Sequence, residues 1–193
     1  MPARICTVTL ESLSPYGQSR YYGAEFPKKE KESPQAYEER TWRYRTHANE
    51  KDEVFIPPSC FKNLLSQAAK FLSMQIPGEG KKTFTKHFES GVLCTEPLML
   101  GIKRADVHGT WLHLPSNGQR GGGKRVLKCM PEIPTWKGKV QFIVIDDKIP
   151  RDVFEYHVEQ AGTFIGIGFF RPMNNGWWGR FKATKFEWKN LEA

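Results

Sequence analysis

The order of local signals predicts an α+β, ferredoxin-like fold, βαββαβ with insertions and a C-terminal glycine-rich loop. Three observations carry this. RICTVTLESLSPY near the N-terminus alternates, with Ile5, Thr7 and Thr9 on one side and Cys6, Val8 and Leu10 on the other, which is the period of a strand. FKNLLSQAAKFLSM carries Phe61, Leu64, Leu65, Ala68 and Leu72 on one helical face. The second half then reads buried strand (KVQFIVIDD), helix (RDVFEYHVEQAG) and alternating strand (RFKATKFEW). Such an order belongs to a single sheet crossed by two helices.

After the first strand, Gly17–Glu53 is polar and irregular, with SPQAYEER as a short helix started by a serine cap and a proline. Eight cations and eight anions balance there, so this stretch reads as a protruding insertion at about 17–53, suited to contacting a neighbour. VFIPPSC runs extended into the first long helix, for which Ser59 is the expected N-cap. A Gly/Lys loop follows, and GVLCTEPLMLG and TWLHLP read as strands. The stretch at about 115–138 reads as a basic, glycine-rich hairpin or flap, and Gly162 is expected to close the last helix. The whole is predicted as one domain, 1–193.

Charge narrows the function. The 193 residues carry 29 Lys and Arg against 21 Asp and Glu, a formal +8 that favours a polyanionic partner. The excess is local. Pro115–Val140 has Arg120, Lys124, Arg125, Lys128, Lys137 and Lys139 against Glu132, for +5; from Gly162 onward Arg171, Arg180, Lys182, Lys185 and Lys189 face Glu187 and Glu192, for +3. No apolar run is long enough for a bilayer span and no signal peptide is read, so a cytoplasmic protein is expected. Four scattered cysteines, Cys6, Cys60, Cys94 and Cys129, read as buried thiols, and neither a metal site nor a cofactor is expected.

Ile165–Phe181, IGIGFFRPMNNGWWGRF, packs four glycines, five rings and two arginines into one loop between the last helix and the last strand. Glycines at 166, 168, 176 and 179 let a backbone approach a ligand closely, and Trp177, Trp178 and Phe169 or Phe170 offer stacking surface for bases, with Phe169 and Phe181 beside strand positions that suit core packing as well. Arg171 and Arg180 are the expected phosphate or base contacts. At the helix start, Ser59 and Lys62 stand beside unpaired N–H groups, a phosphate-binding arrangement as well as an ordinary cap. RTWRYRTH interleaves cations with rings: extended, it sets Arg43 and Arg45 on one side as a wall for a nucleic-acid strand; helical, it pairs with Glu38 and Glu39.

The Gly166-Ile-Gly168 and Gly176-Trp-Trp-Gly179-Arg-Phe pattern resembles the glycine-rich loop of the CRISPR-associated RAMP superfamily, whose members are modified RNA-recognition folds. VFIPPSCFKNLLSQAAKFL is similar to the helix start of the backbone subunits of Cascade-like effector complexes. The resemblance implies a non-catalytic protein that binds single-stranded RNA of guide type, with single-stranded DNA as the alternative ligand. It also implies self-assembly along that RNA or contact with other effector subunits. Ser59, Lys62, Arg43, Arg45, Arg120, Lys124, Arg125, Gly166, Gly168, Arg171, Gly176, Trp177, Trp178, Gly179 and Arg180 would then line its groove. Two other readings remain open: a small RNA-processing endoribonuclease with His87 as general base, and a phage-type protein that imitates a CRISPR subunit. Asp146 and Asp147 adjoin on a strand end, which sends their side chains to opposite faces and suits a turn better than a metal site.

Overall fold

The computed structural model describes residues 3–23, 25–116 and 124–191. Its strands are β1 (Arg4–Ser12), β2 (Tyr16–Gly17), β3 (Glu53–Ile56), β4 (Val92–Leu93), β5 (Leu98–Lys103), β6 (His108–Pro115), β7 (Arg125–Ile133), β8 (Lys137–Val144) and β9 (Phe181–Asn190). Its α-helices are α1 (Pro34–Thr41), α2 (Pro58–Leu72), α3 (Thr85–Gly91) and α4 (Arg151–Gln160). None is long and apolar enough to cross a membrane.

The main sheet has the order β4-β8-β1-β9, with every neighbouring pair antiparallel. Since α2 lies in the connection from β1 to β4 and α4 in that from β8 to β9, this is the ferredoxin-like arrangement. Alternation decides which face is covered. Cys6, Val8 and Leu10 of β1 and Val140, Phe142 and Val144 of β8 are buried on the helix side. Phe61, Leu64, Leu65, Ala68 and Ala69 of α2 pack there with Phe154 and Val158 of α4. Phe142 links the layers, edge-on to Phe61 at 6.5 Å and to Phe154 at 5.5 Å between ring centroids. Each such side chain contributes about 1.5–3 kcal/mol by leaving water.

Two helix ends differ from expectation. Pro57, extended at φ −61° and ψ 143°, is the N-cap of α2, and Pro58 opens the helix, so Ser59 is exposed inside the first turn and makes no cap bond. Proline's fixed φ and missing N–H suit that position. α4 is not closed by Gly162. It continues as a π-helical turn, Ala161–Ile165, and stops at Gly166, whose φ is +68°. Gly162 is there for packing: a Cβ on it would lie 2.3 Å from the carbonyl oxygen of Phe181.

The other strands form a β2-β7-β6 sheet and a β3-β5 pair. Gly17–Glu53, expected to protrude, folds onto β7 instead. Trp42 is buried against Gly109 and Cys129. Glu38 and Arg45 form an ion pair with side chains only 6% and 12% exposed, and Glu38 also accepts from the Cys129 amide at 2.8 Å. The charge balance of this segment is thus partly an internal salt bridge.

Candidate nucleic-acid interface

The glycine-rich loop is closed upon itself. Gly166, Gly168 and Gly179 take left-handed φ of +68°, +76° and +76°, a region that penalises any side chain. A Cβ on Gly176 would stand 1.7 Å from the Phe170 carbonyl oxygen, on Gly179 1.9 Å from that of Ile167, and on Gly168 2.3 Å from that of Gly17. Backbone bonds occupy this space: Phe169 N–H donates to Gly17 (2.9 Å), Trp178 N–H to Phe170 (3.1 Å) and Ile167 N–H to Gly179 (3.1 Å). The expectation that these glycines clear the way for a ligand is corrected, since the chain's own backbone fills the room they leave. The rings divide as well. Trp178 and Phe181 are buried, whereas Trp177 is 53% and Phe170 37% exposed.

Both loop arginines touch the protein. Arg180 donates from Nε to the Thr163 carbonyl (3.2 Å) and from Nη1 to the Trp177 carbonyl (3.3 Å), tying the loop backbone to the π-helical turn. Arg171 is partly buried, its Nε has no partner, and its charge reaches Cys60. Burial pushes that thiol up, against the pull of Tyr16 and Arg171.

Several sequence candidates lie elsewhere. Lys62 donates to the carbonyls of Phe88 (2.8 Å) and Glu89 (2.6 Å), tying α2 to α3; it is a brace, and burial holds its pKa down. Arg45 is consumed by Glu38 and also donates to the Cys129 carbonyl at 3.0 Å. RTWRYRTH is helical, not extended: Trp42–Arg45 is a 3-10 turn in which Arg43 stacks over Trp42 at 4.3 Å. Arg120 falls outside the described residues. Lys124 and Arg125 are exposed where β7 begins, and the Ser116 amide donates to Lys124 at 2.8 Å across the hairpin.

One cleft joins two of the predicted regions. It has a volume of about 760 Å³ and lies between the β6–β7 hairpin and the glycine-rich loop. Leu112, His113, Leu114 and Arg125 line one side, and Gly168, Phe169, Phe170 and Asn175 the other, with Ser19 between. Phe170 sits at φ +58° and stacks on Phe169 with centroids 6.0 Å apart. Phe170 is one of the rings the sequence offers for stacking, but His113 is not singled out there. FF and HLP are ordinary strand and turn signals, and only the tertiary fold turns them into one cleft.

His87 is held by a residue 59 positions away. Its Nδ1 lies 2.7 Å from Asp146 Oδ2, with the two side chains 27% and 21% exposed. Burial works to raise the Asp146 carboxyl, but hydrogen bonds from His87 and the Lys148 amide outweigh it and leave it below the ordinary 3.8. Neither His87 nor Asp146 lines the cleft. Among the described residues no three His, Cys, Asp or Glu side chains are grouped to hold a metal ion.

No protein-family model matches the chain, and no curated protein does. Among solved structures it is similar to a chain of the Type III-B Cmr-beta complex bound to cognate target RNA, seen by cryo-EM. The TM-score is 0.48 and the identity 11%, over 98% of this chain and 61% of that one. The protein therefore spans about three fifths of the length of that neighbour.

Proposed function

We propose that the protein binds single-stranded RNA in the cleft between the β6–β7 hairpin and the glycine-rich loop, as a non-catalytic, RAMP-type subunit of a CRISPR-like assembly. The observation that carries this is the pairing, across one cleft, of the exposed Phe170 ring with the Arg125 cation. A ring on a rigid, internally bonded loop stacks a base at about 1–3 kcal/mol whatever its identity. Lys124 and Arg125 neutralise phosphates and release counterions. Ser19, His113 and Asn175 supply polar groups for base edges or a 2′-hydroxyl, the group that separates RNA from DNA.

The test is fluorescence anisotropy with labelled oligouridine over a salt series. Phe170→Leu should weaken binding by about 1–3 kcal/mol, and Lys124→Ala with Arg125→Ala should reduce the slope of log K against log salt by about one to two units. Unchanged affinity in both variants, with their folds intact, would remove the cleft from consideration. In a RAMP-type array, longer RNAs should add protomers stepwise, which mass photometry reads directly.

The endoribonuclease reading has one observation in its favour, the His87–Asp146 pair, since a carboxylate on Nδ1 orients Nε2 for proton transfer. Incubating end-labelled RNA with wild type and with His87→Ala decides it. The binding reading requires intact RNA in both.

A further inference from the structure

The face of the main sheet opposite the helices is covered by nothing among the described residues, and its side chains fall into two zones. Strand register sets the rows. Lys137, Glu11 and Lys182 stand side by side, followed by Lys139, Thr9 and Lys185, then Gln141, Thr7 and Glu187. Glu11 is clamped by Lys137 (2.6 Å) and Lys182 (3.3 Å), and Glu187 by Lys185 (3.0 Å) and Lys139 (3.6 Å). The next row is aliphatic, Leu93, Ile143 and Ile5, with Lys189 at its edge. Ile145 lies one step beyond by strand alternation. Leu93 and Ile145 are 39% and 50% exposed.

We propose that this face docks one amphipathic helix of an acidic protein partner, with its aliphatic residues over Leu93, Ile143 and Ile145 and its carboxylates over the lysine rows. Size fixes the form. Eight residues of strand span about 27 Å, and three strand spacings about 14 Å; an α-helix is about 10–12 Å across with its side chains and bonds its own backbone. A lone strand laid on the face would leave its donors unpaired. Charge fixes the sign, because four lysines share two carboxylates and leave cations without a full complement. A second copy offering the same face would set lysine against lysine. RNA fits less well, since the face carries no aromatic ring to stack a base and its two carboxylates stand among the cations.

The test selects helical peptides of about 18 residues from a display library on wild type, with depletion on Lys139→Glu/Lys185→Glu. Enriched sequences should carry aliphatic residues at i, i+3 and i+4 with Asp or Glu between. As synthetic peptides they should lose roughly tenfold or more in affinity for that pair and for Leu93→Ser/Ile145→Ser. No enrichment, or binding indifferent to both pairs, overturns the proposal. So does oligouridine affinity falling equally in both pairs, which would assign the face to nucleic acid. The substituted side chains are exposed, so both pairs should melt like wild type; the single Ile145→Ser variant repeats the binding test should either pair fail to fold. The cleft is untouched by these changes, so its failure as an RNA site would read out separately.

Discussion

Removing the Trp178 ring and placing a methyl group on Gly17 should be coupled perturbations. Trp178 is 4% exposed and lies edge-on to Phe169, Phe170 and Trp177, with centroids 6.2, 6.2 and 6.3 Å away. Truncating a buried aromatic to alanine costs about 3–5 kcal/mol. For a chain of this size, each kcal/mol moves Tm by about 2–4 °C, so Trp178→Ala should melt about 6–20 °C lower. Gly17→Ala acts from the other side: its Cβ would lie 2.7 Å from Trp178 Cε3 and 2.8 Å from Cζ3. Overpacking of that kind costs about 1–3 kcal/mol. Once the ring is gone the clash is gone, and the methyl group fills part of the space. The double variant should therefore be more stable than the sum of the two losses by about 1–3 kcal/mol. Urea unfolding of all four proteins, followed by far-UV circular dichroism at one temperature, measures this. Losses that add within about 0.5 kcal/mol, or a Trp178→Ala protein that melts like wild type, would refute the packing argument and return the ring to the ligand.

Glu38→Ala leaves Arg45 charged and buried, so it should cost about 3–5 kcal/mol. Glu38→Leu with Arg45→Met should recover part of that by chemical denaturation, short of wild type because the Cys129 amide loses its acceptor. Lys62→Met should lower stability by about 1–3 kcal/mol and leave RNA affinity unchanged, whereas a loss of affinity at constant stability would restore Lys62 as a phosphate contact. The pH dependence turns on His157, which is fully buried, donates from Nδ1 to the Val153 carbonyl at 2.7 Å and has its pKa lowered from 6.5 by burial. The unfolded chain takes up this proton first as pH falls, so stability should be full above 6.5 and decline below it, until the folded-state value is passed. His157→Phe should flatten the decline between about pH 7 and 5, leaving the share of His47, which burial also lowers.

Period and run length carried the main sheet and its two helices, because β1, α2 and β8 bury one face each and pay in pattern for doing so. Ends were harder. Ser59 looks like a cap, but two prolines before it set the backbone first. Gly162 looks like a terminator, yet its smallness serves Phe181, which lies beyond the loop. The site was legible as composition and illegible as contact. That a basic glycine-rich hairpin and an aromatic glycine loop share a cleft depends on β2, two residues long and without any period to read. Arg45 and Lys62 have the composition of phosphate ligands, but Glu38 and two α3 carbonyls are nearer. His87 and Asp146 meet only because α3 and the end of β8 adjoin at β4.

β1 is an interior strand, hydrogen-bonded on one side to β8 and on the other to β9, with Arg4 opposite Asn190. Its second partner is therefore made long after β1 itself. At synthesis rates of about 5–20 residues per second, β1 waits roughly 10–40 s for β9, its apolar Cys6, Val8 and Leu10 and an open strand edge meanwhile accessible to other chains. Closing a loop of that length also slows folding itself. The vulnerable interval is thus a property of topology rather than of final stability, and slower, cooler expression or a chaperone that shields nascent strands should raise the yield of folded protein without altering its Tm.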